Sequence, residues 1–384
     1  MSIRVLMVMH SSAQTGPNVA TASLLETINK NDYTVEVASP AAGYLVGRLK
    51  DLGIRHIPLE FGRYGDIATL LQLISILLNG RYSIIHGHMG RVGPIICIAG
   101  RITRVPAVIL TEHMSAGSHT WIERDPVRLF FHRLFHIVSN NCLDLVIAVS
   151  EAARKKYILR QGIKEEKTVA IYNGIRVGDK NGADRTAMRE RLGVVDKDTV
   201  MIGMFGRLIR EKGYADVLSA GEEILRCNKN VLFLVVGDGP ERQDLERLAG
   251  IGNLAGKVVF TGFRSDAADI MEAIDILVQP SWTEASESFG LVLIEAMVRR
   301  KCVVASDIAP FLEIIEDGQS GFIFPEKNCG TLAEKINLLM GDRSLMEKMG
   351  RRGYEIVKEK FDIKMIAAET EGRYREVLSK KKPE

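Results

Sequence analysis

The sequence predicts an α/β protein built from two doubly wound parallel-sheet domains that face each other across a cleft. Three observations carry this. Short β-branched runs alternate with longer amphipathic stretches from one end of the chain to the other. Those runs are apolar without a two-residue alternation, the mark of strands buried on both faces by crossover helices. The alternation restarts after a glycine-bearing segment near the middle of the 384 residues, and such segments separate domains.

Strands are expected over residues 4–9, 34–38, 55–59, 83–86, 107–111, 145–149 and 168–171 in the first half. The second half repeats the pattern over 200–205, 232–236, 258–261, 276–279, 303–306 and 321–324. Amphipathic stretches 19–29, 67–78 and 126–138 read as crossover helices, and residues 343–382 as mostly helical and charged. The organisation expected is a first domain over 1–173, a linker over 174–183, a second domain over 184–360 and a C-terminal helix in 361–384. In open sheets of this kind ligands sit beyond the carboxyl ends of the strands.

Composition narrows the class. Hydrophobic residues are 46% and charged residues 26%, values of an ordinary globular protein and not of a disordered or collagen-like chain. The cysteines at 97, 142, 227, 302 and 329 are scattered and never form C-x-x-C. Neither a disulfide framework nor a zinc site is expected, and a reducing cytoplasm is the natural compartment. The strand-like N-terminus does not read as a signal peptide. The longest apolar stretch, 67–78, falls short of the roughly 18 residues that span a bilayer. Net charge is +3, yet residues 1–176 carry +7 and the remainder −4, and all eight histidines lie in the first part. That asymmetry suggests two domains meeting different partners, or simply drift in surface composition. Nothing in it points to nucleic acid.

Three motifs carry chemistry. Gly206-Arg207-Leu208-Ile209-Arg210-Glu211-Lys212-Gly213 follows one strand, and Val236-Gly237-Asp238-Gly239-Pro240 ends the next. Turns of this type leave backbone N–H groups at a helix N-terminus, where an anion is favoured. Arg207 and Lys212 add two cations at the same edge, suited to a diphosphate. Read alone, either motif also fits a tight turn beside solvated charges. The third runs from Pro280 to Met297 and holds Glu287 and Glu295, eight residues apart. If a helix starts near 288–290, Glu287 hangs in the loop before it and Glu295 sits inside it, so one carboxylate can accept bonds from sugar hydroxyls while the other reaches a neighbouring part of the ligand.

Together with Phe260-Thr261-Gly262-Phe263, these motifs resemble, in order and spacing, the family 4 retaining glycosyltransferases, whose two Rossmann-like domains form the GT-B fold. The resemblance covers nearly the whole chain, and its second half holds the specific part. It implies transfer of a hexosyl group from a nucleoside-diphosphate sugar to a glycan, lipid-linked or small-molecule acceptor, in cell-surface glycan synthesis. It implies no metal and no other cofactor. Arg207 and Lys212 would hold the donor diphosphate, Glu287 the sugar hydroxyls and Glu295 the ribose. Gly206, Gly237, Gly239, Ser288, Phe289, Gly290 and Leu291 would line the donor site, with Phe263 and Arg264 near the base. His113, after Thr111-Glu112, matches the family's histidine beside the transferred sugar, and Gly16 is the best match to its glycine loop. The final helices would cross back to the first domain.

Departures from the pattern are specific. The loop 10–18 has one glycine and a proline where the family has paired glycines. Three extra residues precede Glu287, Ser288 replaces a glycine, and Arg176 stands where an acid is usual. Glu284 and the pair Asp196 and Asp198 are set aside. His10, His86 and His88 also end predicted strands and could line an acceptor edge. The basic, aromatic stretch 126–136 suits a membrane surface carrying a lipid-linked acceptor, or else packs as a core helix. Peripheral contact with the inner face of the membrane through the basic first half is therefore an expectation. The alternatives are a nucleoside-diphosphate-sugar epimerase or phosphorylase on the same architecture, and a non-catalytic two-lobed nucleotide-sugar-binding protein. A dehydrogenase is disfavoured, since no G-x-G-x-x-G follows the first strand.

Overall fold

The computed structural model describes residues 2–62, 67–88, 92–113, 141–178, 184–282 and 287–381. The chain divides into two compact units, one made of Met1–Arg176 with Asp362–Glu384 and one of Val177–Phe361. The stretch 126–138 and the second half of the expected linker, 179–183, lie outside the described residues.

In the first unit, strands β1 (Ile3–Met9), β2 (Tyr33–Ser39), β3 (His56–Pro58), β4 (Ile84–His88), β5 (Ala107–Glu112), β6 (Leu145–Ala148) and β7 (Thr168–Ala170) form one sheet. Their order is β3-β2-β1-β4-β5-β6-β7, and every neighbouring pair is parallel. Helices α1 (Gly16–Thr27), α2 (Tyr44–Asp51), α3 (Ile67–Gly80), α4 (Gly93–Ile102) and α5 (Glu151–Gln161) supply the crossovers described. The expected helix 19–29 begins earlier, at Gly16, because Pro17 sits in the first turn, where its missing N–H costs nothing. β4 runs on to His88, so His86 lies inside the strand and not at its end.

The second unit holds helices α6 (Arg185–Arg191), α7 (Tyr214–Cys227), α8 (Arg242–Ala249), α9 (Ala267–Ile270), α10 (Leu291–Met297), α11 (Ala309–Leu312), α12 (Cys329–Gly341) and α13 (Arg343–Lys360). Its strands are β8 (Val200–Phe205), β9 (Val231–Val236), β10 (Val258–Gly262), β11 (Ile276–Gln279), β12 (Cys302–Ser306) and β13 (Gly321–Phe324), in the order β10-β9-β8-β11-β12-β13. All thirteen apolar runs are strands, within two residues of their expected ends. Helix α7 shows why: Val217, Leu218, Gly221, Ile224 and Leu225 make one buried face at helical spacing. Gly221 lets Phe233 of β9 approach, since a Cβ there would stand 3.1 Å from its ring.

The last helix, α14 (Ile363–Ser379), belongs to the first unit. Ile363, Ile366, Ala367, Tyr374 and Val377 join the core cluster that α1 forms with the sheet. Residues 174–176, read as the start of the linker, are fixed in that unit as well. A Cβ on Gly174 would stand 2.8 Å from Ile363 Cα, Ile175 O accepts from Ile363 N at 2.9 Å, and Arg176 pairs with Glu26 at 2.8 Å. The arginine that replaces the usual acid thus has a structural partner.

In each sheet the strand order reverses once, between β1 and β4 and between β8 and β11. Loops leaving neighbouring strands at such a point go to opposite faces and open a crevice. Those crevices hold the residues that matter.

Candidate functional site

In the second unit the chain leaves β8 at Gly206, whose φ of 140° favours glycine. It then makes a 3₁₀ turn over Arg210–Lys212 and enters α7 through Gly213 at φ 68°. A Cβ on Gly213 would stand 2.2 Å from Pro280 O, so glycine lets the two loops at the reversal point touch. Lys212 on one loop meets Glu287 on the other. Its Nζ donates to Glu287 Oε1, and the two side chains are only 15% and 12% exposed. The same oxygen accepts from Gln279 Nε2 at 2.9 Å and from Ser281 Oγ at 2.8 Å. Glu287 Oε1 is therefore saturated, and Oε2 is the oxygen left for another donor.

Arg207 is different. It is exposed, and its guanidinium makes no hydrogen bond or ion pair among the described residues. One cation is held and one is free.

Gly237 and Gly239 serve the packing of this loop. A Cβ at Gly237 would stand 1.9 Å from Gly206 O, and one at Gly239 would stand 2.2 Å from Leu208 O. Backbone bonds join the loops: Gly206 N donates to Val236 O at 3.0 Å and Leu208 N to Asp238 O at 2.9 Å. Either glycine, if replaced, would push the Arg207 loop off its seat. Phe263 follows β10 and is 62% exposed. Arg264 makes two bonds to Asp266, at 2.7 and 2.6 Å, and is thereby committed.

Beyond Glu287, Ser288 and Phe289 are buried, and the Phe289 ring meets Phe361 edge-on with centroids 5.5 Å apart. Phe289 is an anchor for the loop. Gly290, at φ 126°, turns the chain into α10, which begins at Leu291. Glu295 sits one turn inside, half-buried, with no hydrogen bond or ion pair from its carboxyl among the described residues. Burial pushes that carboxyl up to about 7, while nearby Arg299 acts in the opposite sense. Gly16 opens α1 in the first unit and is exposed.

At the first unit's carboxyl edge His86, His88 and His113 cluster, beside the buried Glu112 that ends β5. His86 bonds Tyr374 OH through Nδ1 at 2.6 Å and Thr111 Oγ1 through Nε2 at 2.7 Å. Hydroxyls give or take a proton with equal ease, so both ring nitrogens are satisfied with the imidazole neutral. His88 Nδ1 lies 3.0 Å from His113 Nε2 and 3.2 Å from Thr21 Oγ1, while His88 Nε2 is buried with no partner among the described residues. A bare acceptor left alone in the interior costs less than an orphaned N–H. The tautomer with Nδ1–H donating to His113 is thus the better one for His88. Burial holds His86 down at about 3 and His113 at about 4, and holds His88 well below its ordinary value. All three are neutral imidazoles at physiological pH. They line a cavity of ≈ 40 Å³ with Ala20, Ile147 and Ile366, room for about one water. Among the described residues no group of three or more His, Cys, Asp or Glu is placed to hold a metal ion.

Two family models match the chain: Glycosyl transferases group 1 over residues 184–356, and Glycosyl transferase 4-like domain over residues 15–174. The chain belongs to the group 1 glycosyltransferases. This transferase is 29% identical over 290 residues to the alpha-D-kanosaminyltransferase of Streptomyces kanamyceticus, covering 73% of each chain. It is 28% identical over 324 residues to the phosphatidyl-myo-inositol mannosyltransferase of Mycobacterium leprae, covering 82% of this chain and 80% of that protein. The crystal structure of HepE from Anabaena in complex with UDP and glucose superposes with a TM-score of 0.83 at 24% identity, over 97% and 100% of the two chains. The architecture is therefore GT-B.

Sequence reasoning on the transferase missed the support around Glu287. Gln279 and Ser281 are buried donors at the end of β11, and the polar residue closing the run Ile276–Gln279 was the available signal. Trp282 was missed as well. Its Nε1 donates to Asp216 Oδ2 at 2.5 Å, its backbone N to Glu211 O at 2.7 Å, and Lys327 Nζ lies 4.6 Å from its ring. This indole ties the Lys212 turn to the Glu287 loop. Nothing local in sequence announces a contact across 66 residues.

Proposed function

We propose that the chain is a retaining hexosyltransferase that uses a nucleoside-diphosphate sugar, needs no metal ion, and builds a cell-surface glycan at the inner face of the membrane. The observation that carries this is the pairing of one free cation, Arg207, with one pre-positioned cation, Lys212, at the strand-order reversal of the second sheet. Arg207 clasps the diphosphate, and Lys212 stands between a phosphoryl oxygen and Glu287. Glu287 Oε2 accepts from hydroxyls of the donor sugar. Glu295, with its carboxyl near 7, both gives and takes a proton bond at the ribose diol. The exposed Phe263 ring is a stacking face for the base. The amide at Gly16 and the neutral His113 belong to the sugar end, where His113 binds a hydroxyl and carries no charge.

In the reaction the bond from the anomeric carbon to the diphosphate oxygen breaks, and the electron pair stays on that oxygen. Charge develops there, and Arg207 and Lys212 stabilise it, Lys212 from the position Glu287 already gives it. The acceptor hydroxyl oxygen bonds to the anomeric carbon on the face just vacated, and its proton passes to the departing phosphate oxygen. Configuration is kept. Relatives named as a phosphatidyl-myo-inositol mannosyltransferase and a 2-deoxystreptamine glucosyltransferase support hydroxyl acceptors of either lipid or small-molecule type.

The test is turnover of UDP-, GDP- and ADP-sugars with acceptors, with and without EDTA. The anomeric configuration of the product is read by NMR. Release of nucleoside diphosphate only with acceptor, undiminished by EDTA, is expected. An inverted product, activity lost to EDTA, or an epimerised donor formed without acceptor overturns the proposal.

A further inference from the structure

We infer that His88 is a positioning residue: its ring fixes the tautomer of His113, so that His113 meets the transferred sugar as an N–H donor and never as an acceptor. The inference rests on the proposed function for the place of His113 at the sugar end. Strand periodicity brings the two rings together. His86 and His88 are two residues apart in β4 and so share one face of the sheet. β5 pairs Thr111 with His88, and His113 follows Thr111 by the same step of two, just past the end of that strand. The His88 and His113 ring centres are 5.3 Å apart, and their planes differ by 20°. His88 Nδ1 stands 3.0 Å from His113 Nε2. At that separation of centres the nitrogens of two imidazoles can come little closer, and they do so only on the line of centres. The contact is therefore end to end, in the direction in which a ring N–H donates and a bare ring nitrogen accepts.

Two proton placements satisfy this bond, and the interior selects one. If His113 Nε2 carries the hydrogen, His88 Nδ1 accepts it and His88 Nε2 must be an N–H. That nitrogen is buried with no partner among the described residues, and an orphaned N–H costs more there than a bare nitrogen. If His88 Nδ1 carries the hydrogen, Nε2 is the bare one. Thr21 Oγ1, buried and 3.2 Å from Nδ1, then accepts a second branch of the same bond. This placement orphans no N–H. His86 cannot relieve His88, because both of its nitrogens are engaged, by Tyr374 OH and Thr111 Oγ1. With Nε2 accepting, a neutral His113 keeps its proton on Nδ1, which has no partner among the described residues. His113 is half-buried, and that N–H is the part of the ring left for a ligand. It reads an oxygen lone pair. A sugar hydroxyl at that place is bound, and a sugar without the oxygen leaves the N–H unmatched.

The experiment uses the full chain labelled with ¹⁵N at its histidines. Long-range proton–nitrogen spectra separate protonated from bare ring nitrogens, and the same samples are titrated with UDP-, GDP- and ADP-hexoses and with the matching nucleoside diphosphates. His88 and His113 should each be protonated at Nδ1 alone. His88→Leu should leave His113 a mixture of tautomers and weaken the nucleotide sugar about fivefold, the scale of one hydrogen bond. The free nucleoside diphosphate should bind as before. In His88→Asn the amide nitrogen stands close to where Nδ1 stood and donates to His113 Nε2, so the single tautomer and the affinity should both return. A general loss of structure weakens sugar and diphosphate together and is not rescued. His113 protonated at Nε2 in the wild type overturns the inference. So does equal weakening of both ligands by His88→Leu, or a His88→Asn variant no better than His88→Leu. If the wild type binds no nucleotide sugar, the proposed function falls, while the ring spectra still decide for or against His88.

Discussion

The two sheets present the same architectural feature, a reversal of strand order, and furnish it with opposite chemistry. At the second unit's edge Lys212 and Glu287 form a nearly buried ion pair beside the unpartnered Arg207. At the first unit's edge three imidazoles are packed together and kept neutral by burial. One edge holds an ion pair, and the other gathers neutral imidazoles beside the buried Glu112. Under the proposed function, the first of these edges would stabilise a dianionic leaving group and the second would handle uncharged hydroxyls. The difference also makes the two units respond differently to the same perturbation.

The largest expected effect breaks the charged edge. Lys212→Ala leaves Glu287 with two neutral donors in a nearly closed site, a loss of about 3 kcal/mol in the stability of the second unit. Turnover per bound donor should fall roughly 10³-fold, the scale for removing a fixed donor to developing charge. Calorimetry and initial rates check both. The pairing Lys212→Met with Glu287→Gln should restore much of the stability and none of the activity. Arg207→Ala should lower kcat/KM about 10²-fold and leave the melting temperature within the scatter of a surface change. A melting loss equal to that of Lys212→Ala would erase the distinction between the held and the free cation.

The next effect sets the edges against each other by pH. The histidines titrate near 6.5 when unfolded and far lower when folded, so their stabilisation is present above 6.5 and is lost as pH falls toward the folded values. Between pH 7 and 5 each costs the first unit about 2 kcal/mol. Glu295 runs the other way. Its folded value of about 7 lies above its unfolded one, so the second unit gains about 2 kcal/mol as Glu295 takes up its proton over the same interval. Hydrogen exchange on peptides from β4 and α10 should move in opposite directions, and Glu295→Gln should abolish the second shift. Parallel movement would mean that one of the two burial effects is absent.

How much of this was legible in the sequence follows from range. Apolar runs such as Val231–Val236 announced every strand because burial on both faces is written locally. Arg207, Lys212, Glu287 and Glu295 could be singled out as candidates because they sit within recognisable stretches. What could not be read was which of the two cations is already occupied, since that depends on Glu287, 75 residues away. Likewise Gly237 and Gly239 read as anion-binding glycines, and only the nearness of Gly206 O and Leu208 O shows the packing they allow. His86 read as a strand-end residue. Its partner Tyr374, 288 residues on, is what closes the cluster, and no local pattern signals that.

A smaller effect probes the neutral edge. Tyr374→Phe removes the hydroxyl that meets His86 Nδ1 at 2.6 Å and leaves a buried ring nitrogen unpaired. That should cost the first unit about 1–3 kcal/mol with no direct change in donor affinity. Thermal melts and a donor titration separate the two. Tighter or weaker donor binding would show that the neutral cluster reaches the charged chemistry after all.

The smallest effect concerns how firmly the charged edge is preset. Trp282→Phe keeps the ring between the loops but deletes the bond from Nε1 to Asp216, whose carboxyl burial raises above its ordinary value. Losing one hydrogen bond costs about 1 kcal/mol, within reach of a melting curve. Because Trp282 joins the turn bearing Lys212 to the loop bearing Glu287, the rate should fall several-fold while donor affinity holds. An unchanged rate would mean that Gln279 and Ser281 suffice to seat Glu287, and that the edge owes its geometry to the strand end beneath it and not to the indole above.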